Sequence, residues 1–208
     1  MVLLMARLAI FYILFGLVVT LRIADSRASE FSAEDALTST SSFVPFEVPE
    51  FSLVDSNGQA FTKDSMRGRY SLVYFGFSNC PDACIYSTDG LAQAYETLTP
   101  EERKNIHVYF FSFDTMRDTP EKLKAYLSAF NEDFIGVSGY DHKDEMEKVL
   151  KSFGVVTDRD GHSILCFLLD EDVRFVTQYN YQTMTDSPEQ IAADLRRIWK
   201  QRACPIEK

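Results

Sequence analysis

Cysteine is scarce in this chain: Cys80, Cys84, Cys166 and Cys204 are the only four in 208 residues. That sparsity excludes a small scaffold stapled by disulfides, which carries several bridges in far less chain. Basic residues are in deficit too, 21 Lys and Arg against 31 Asp and Glu, for a net charge of −10. So acidic a surface repels phosphates instead of releasing their counterions, which excludes nucleic-acid binding. No internal repeat suggests a solenoid. No Arg- and Ser-rich stretch precedes the first apolar run, which disfavours import into an organelle. No cysteine follows that run closely, which argues against a lipoprotein anchor.

What is present divides into three parts. Met1 to Leu21 is apolar except for Arg7 and Thr20, with an uninterrupted run from Leu8 to Val19. That run is marginal for a hydrocarbon core of about 30 Å, which takes about 20 residues. It also suits a signal-peptide core, with Ser26-Arg27-Ala28 as the cleavage site. Residues 1–22 are read as a signal anchor or signal peptide, with the anchor favoured; either exports the rest of the chain. Residues 23–44, rich in Ser, Thr, Ala and acidic side chains, read as a flexible tether. Residues 45–208 remain as one domain; the chain as a whole is 46% hydrophobic and 25% charged, an ordinary globular composition with enough apolar side chain for one core.

Within that domain, Phe51–Asp55 and Ala60–Thr62 flank Ser56-Asn57-Gly58-Gln59, the signature of a small hairpin. Ser71–Phe77 and His107–Phe113 are aromatic and β-branched runs apolar on both faces, as in strands buried mid-sheet under helices. Helices are expected over about Pro81–Leu98, from Pro120 through Phe130 with Thr119 as N-cap, over Lys143–Phe153, and from Ser187 to near Trp199. Ser163–Leu169 reads as a third buried strand and Val173–Tyr179 as its hairpin partner. Alternating strands and helices predict an α/β fold with a central, mostly parallel sheet flanked by helices. A thiol pair at the strand-to-helix turn of the first central strand makes that arrangement thioredoxin-like.

The thiols sit in FGFSNCPDACIYS, Phe75 to Ser87. Residues four apart share one helix face, so Cys80 and Cys84 can close a disulfide, exchange with another one, or converge on a soft metal ion. The extra residue relative to Cys-x-x-Cys leans toward metal. Of three histidines, His107 leads a strand and His142 starts a helix, so both read as structural. His162 stands just before the buried strand, in Asp160-Gly161-His162-Ser163. That strand end is expected beside the thiol-bearing turn. Two thiolates and an imidazole suit copper(I) and tolerate copper(II); zinc normally takes a fourth ligand, and none is obvious.

The stretches YFGFSNCPDAC, FFSFDTMRDTPEKLKAYLSAF, FIGVSGY and DGHSILCFLLDED resemble, in that order, the Sco/SenC family of copper-binding proteins. The resemblance runs from about Phe46 to Trp199. It implies a thioredoxin-like domain tethered to a membrane, here the bacterial inner membrane with the domain facing the periplasm. It implies Cys80, Cys84 and His162 as copper ligands. It also implies delivery of copper to the binuclear centre of cytochrome c oxidase subunit II, or reduction of the cysteines there, with a thiol–disulfide reductase or another copper carrier as further partners. Where such proteins often carry Asp before the histidine, this chain has Gly161; where Pro commonly follows the second cysteine, it has Ile85.

Asp114, at the end of a central strand, is expected near the thiols, tuning the site or touching the partner; the alternative is a salt-bridged loop shared with Arg117 and Asp118. Cys166 is placed in the same strand as His162, on the same face but about 13 Å away, and therefore in the core. Cys204, in the tail, has no assigned role. Two rival functions use the same cysteine pair: a thiol–disulfide oxidoreductase, and a copper or redox sensor. A peroxidase of this fold would carry Thr or Ser three residues before its reactive cysteine, where this chain has Phe77.

Overall fold

The computed structural model describes residues 46–158 and 161–203. The apolar segment and the tether expected before residue 45, and Cys204, lie outside that range. No helix among the described residues is long and apolar enough to cross a membrane.

Strands β1 (Ser52–Asp55) and β2 (Ala60–Thr62) form the predicted hairpin. Asp55 Oδ1 accepts the Asn57 and Gln59 N–H groups at 2.8 and 2.9 Å, which satisfies the donors of the turn. Strand β3 (Tyr70–Gly76), helix α1 (Ala83–Glu96), the short helix α2 (Pro100–Arg103) and strand β4 (Ile106–Ser112) come next. Helix α3 (Pro120–Ser128) starts where expected, the Thr119 hydroxyl accepting the Lys122 N–H at 3.3 Å. Then come β5 (Ile135–Ser138), α4 (Lys143–Ser152), and β6 (Thr157–Asp158) paired with β7 (Gly161–His162). The chain closes with β8 (Leu165–Leu169), β9 (Phe175–Asn180), α5 (Tyr181–Asp186) and α6 (Pro188–Ala203).

The main sheet runs β2-β1-β5-β4-β3-β8-β9. It is mixed, where a mostly parallel sheet was expected. Only β3–β4 and β4–β5 pair in parallel, while both flanks are antiparallel. The reason is connection length. Parallel neighbours need a crossover of a dozen or more residues, which α1 and α3 supply, whereas β1–β2 and β8–β9 are joined by tight turns.

Every residue of β3 is buried, because the sheet is covered on both sides. One face packs Leu72, Tyr74 and Phe110 against Leu91 of α1, Leu123 of α3, Met184 of α5 and Leu195 of α6. The other packs Phe75, Phe111 and Phe167 against Val149 and Phe153 from α4 and against Phe61 of the hairpin. Phe153 is the hub of that second face, its ring 5.0 Å from Phe75 and 5.1 Å from Phe167 in edge-on contacts.

This topology sets the site's position. β3, β4 and β5 all finish at one end of the sheet, and β8, antiparallel to β3, starts there. His107, by contrast, begins β4 at the opposite end. One expectation needs correction: His162 and Cys166 do not share a strand. β7 ends at His162, and the Ser163 N–H turns aside to bond the Val156 carbonyl at 3.0 Å before β8 begins.

α1 and α5 approach so closely that a Cβ at Gly90 would lie 1.8 Å from the Met184 carbonyl oxygen. Gly→Ala within a helix ordinarily gains about 1 kcal/mol. Here Gly90→Ala should instead destabilise the fold by roughly 1–3 kcal/mol, because the backbone of α5 has to move. A urea midpoint at or above that of the parent would show that the two helices part freely.

Candidate functional site

After β3 the backbone turns on a hydrogen bond from the Cys80 N–H to the Phe77 carbonyl, 3.2 Å, and α1 begins only at Ala83. Cys80 therefore precedes the helix and Cys84 lies in its first turn. The first N–H groups of a helix lack partners within it. Here the Cys84 N–H donates to Cys80 Sγ at 3.4 Å, so one cysteine caps the turn that carries the other.

Neither Cys80 nor Cys84 is in a disulfide. Their exposures differ: Cys80 is 8% exposed and Cys84 fully buried. Cys84 Sγ packs over Gly76, where an added Cβ would come within 3.0 Å of it and 2.9 Å of the Phe110 ring. Burial pushes the Cys84 thiol up to about 12, opposed by a hydrogen bond from the Phe77 backbone. The Tyr74 hydroxyl lies beside it, buried and without a hydrogen-bond partner among the described residues, and burial followed by the neighbouring Cys84 pushes its ionisation up as well. Of the two, Cys80 is the less enclosed.

Cys166 pairs across the sheet with Tyr74 and is fully buried, its thiol pushed up by burial alone. It is a core residue, as expected. His107 lies 3.2 Å (Nε2) from Arg69 Nη1 at the far end of β4, and burial followed by that guanidinium lowers its basicity. His142 precedes α4 and its N–H bonds the Gly139 carbonyl. His162 ends β7 three residues before β8, the strand that starts at the thiol end of the main sheet; its side chain is outside the described part. Among the described residues no three His, Cys, Asp or Glu side chains gather as a metal site.

Asp114 spends its carboxylate locally, on Arg117 Nε at 2.6 Å and the Met116 N–H at 3.4 Å. The acid that reaches the thiol loop is Asp118. Its fully buried carboxylate accepts the Ser78 N–H at 2.7 Å, the Ser78 hydroxyl at 2.6 Å and the Ser112 hydroxyl at 2.6 Å, with Lys122 Nζ at 3.3 Å. Its own carbonyl accepts the Ser138 hydroxyl at 2.5 Å. Asp118 thus ties the loop two residues before Cys80 to the ends of β4 and β5. The sequence signal was weak: one acid among several charges in a loop, with a serine two residues before the first cysteine.

A family model described as SCO1/SenC matches residues 40–200. The chain belongs to the SCO1/SenC family. It is similar to Protein SCO2, mitochondrial, of Saccharomyces cerevisiae, 37% identical over 137 residues that make up 61% of this chain and 45% of the yeast protein. It is also similar to the SCO2-like protein RP587 of Rickettsia prowazekii, 36% identical over 138 residues, 62% of this chain and 67% of that protein. The match to the yeast protein thus spans less than half of that protein's length. Among solved structures it is similar to Bradyrhizobium japonicum ScoI with copper bound, with 34% identity, a TM-score of 0.59, and coverage of 73% of this chain and 98% of the other. Apo Sco1 from Thermus thermophilus aligns with a TM-score of 0.68 and 28% identity, covering 80% of this chain and 99% of the other. The thioredoxin-like fold is shared with both.

For the Asp118 carboxylate, burial acts to raise the pKa, but hydrogen bonds from Ser112 and Ser78 and the Lys122 ammonium outweigh it, and the net shift is downward. A carboxyl lowered on folding contributes stability that is present above its unfolded value, about 3.9, and lost as pH falls through the folded value. Asp118→Asn should therefore flatten the loss of stability below roughly pH 4. Asp118→Ala should cost at least about 2 kcal/mol at neutral pH, since buried donors lose a charged acceptor. Chemical denaturation of both variants between pH 3 and 7 measures this; superimposable acid limbs for parent and Asn variant would refute it.

Proposed function

We propose that this chain carries copper on Cys80, Cys84 and His162. In this reading it hands the metal to the binuclear copper centre of cytochrome c oxidase subunit II, or reduces the cysteines there. The apolar N-terminal segment holds it in the bacterial inner membrane with the domain facing the periplasm. A thiol–disulfide reductase or a second copper carrier would restore its reduced or loaded form.

The observation that carries this reading is the pair of unbridged, buried thiols at the β3–α1 turn, Cys80 slightly less enclosed than Cys84. Soft sulfur donors select copper(I), and an imidazole completes a three-coordinate set that copper(II) also accepts. That His162 lies three residues ahead of β8, which starts at the thiol end, is what supports it as the nitrogen donor. The copper-bound relative from Bradyrhizobium japonicum supports the metal.

A second reading, thiol–disulfide exchange, is favoured by the unequal exposure of the two sulfurs. Cys80 would attack a partner's disulfide to form a mixed disulfide, and Cys84 would resolve it, releasing the partner's dithiol and closing the Cys80–Cys84 disulfide.

The reduced full-length protein should bind one copper ion with Cys80 and Cys84 both engaged. Closing the Cys80–Cys84 disulfide should abolish most uptake, and undiminished uptake by the oxidised form, verified by mass spectrometry, would remove the site. Cys166→Ala should leave the stoichiometry at one while costing roughly 1 kcal/mol or more of stability.

His162→Ala separates the two oxidation states. Copper(I), which two thiolates can hold alone, should stay bound more weakly. Copper(II) should lose the nitrogen coupling in its electron paramagnetic resonance spectrum and most of its thiolate-to-copper absorption. His107→Ala, at the other end of the sheet, should change neither spectrum. The reverse pattern would overturn the ligand set.

A further inference from the structure

Beside the thiols, α1 and α5 present side chains that neither the core nor the metal site uses. Ile85 and Tyr86, the two residues after Cys84, are 40% and 57% exposed on the first turn of α1. Tyr181 opens α5, which packs directly on α1 where Gly90 meets the Met184 backbone. These two neighbouring segments bear two tyrosine rings, Tyr86 and Tyr181, and two carboxylates, Asp82 and Asp186, and the last two together with Tyr86 also act to raise the ionisation of Tyr181. Asp89 and Glu189 add further exposed acids on the same two segments.

The two segments carry no cation of their own. The chain contains no Lys or Arg between Arg69 and Arg103, nor between Arg174 and Arg196. α1 and α5 both fall in these gaps. Elsewhere the exposed acids of this domain are laced with cations, as in Lys104–Glu101, Lys143–Glu147 and Arg174–Asp172. Exposed tyrosine faces next to carboxylates favour guanidinium or ammonium groups, through ring quadrupole and charge together. A second copy of this chain, with its net charge of −10, is a poor occupant for an acidic face.

We propose that the Asp82–Tyr86–Tyr181–Asp186 patch is the docking surface for a partner protein, which it grips through an Arg- or Lys-bearing segment placed next to its own metal- or disulfide-exchanging group. This inference rests on the functional reading above for what passes between the two proteins, but the docking can be measured without any transfer.

The probe is a short peptide containing three arginines, added to isotope-labelled, reduced full-length protein and followed by amide NMR shifts, with a triglutamate peptide as control. The arginine peptide should shift amides of residues 82–90 and 181–189 before others, and the glutamate peptide should not. Tyr86→Ala and Asp186→Lys should each weaken binding at least about threefold. Raising salt from about 20 to about 200 mM should weaken it similarly. Copper uptake by Asp186→Lys should match the parent. Shifts spread evenly over all acidic surfaces, or binding indifferent to both substitutions, would overturn the docking surface. Loss of copper uptake in the parent itself would instead overturn the functional reading and leave the docking result standing.

Discussion

Three parallel strands that end together leave three loops crowded over one edge of the sheet, and something must hold those loops in register. In this protein a single buried carboxylate does it. Asp118 gathers Ser78 beyond β3 and Ser112 at the end of β4 through its side chain, and Ser138 at the end of β5 through its carbonyl. An ionised acid with no exposure is expensive unless its lone pairs are filled, and here they are filled by Ser78 from the loop after β3, Ser112 at the end of β4 and Lys122 in α3. The desolvation cost makes the arrangement discriminating: displacing the Ser78 loop would leave a buried charge short of hydrogen bonds. Cys80 inherits its position from that constraint, two residues downstream.

The thiols then sit against an interior with very little polarity to offer them. Tyr74, Ser87 and Tyr179 bury hydroxyl oxygens without a hydrogen-bond partner among the described residues, all on the same face of the sheet as Cys84 and Cys166. A thiol in such surroundings stays protonated and unreactive, as Cys166 does. Cys84 differs in having the helix start, the Phe77 backbone, the Tyr74 hydroxyl and a second sulfur next to it. The same apolar wall therefore holds one cysteine inert and another in waiting, and the difference lies in four residues of loop.

Much of this was legible in the sequence where local chemistry decides structure. The Asn57-Gly58 turn, the Thr119-Pro120 helix start, and the doubly apolar runs of β3 and β4 carry their own signals. The cysteine pair was equally readable, because its spacing is a geometric statement. What was lost depended on tertiary context. β5 is four residues with Gly136 inside it, too short and too interrupted for a β-period to show. The break between β7 and β8 turns on Ser163 bonding back to Val156, which no alternation rule anticipates; hence the mistaken common strand for His162 and Cys166. Among the loop acids, Asp114 at the strand end looked more useful than Asp118, since sequence does not reveal which carboxylate is buried. Asp114 pairs with Arg117 and leaves the thiol loop to its neighbour one turn on.

Under the proposed function the protein would face opposed demands, to hold copper against loss and to release it to a partner, and the asymmetry of the pair bears on both. Both sulfurs are buried, Cys80 a little less than Cys84. In the proposed reading a recipient would therefore meet Cys80 first, while Cys84 still holds. That direction of approach lies over the first turn of α1, the turn that also bears Asp82, Ile85 and Tyr86. In the two proposals, the exchanging sulfurs and the docking surface would therefore be built from one helical turn. A displacement of that turn would alter both at once, which is a physical reason for anchoring its leading loop to a buried charge.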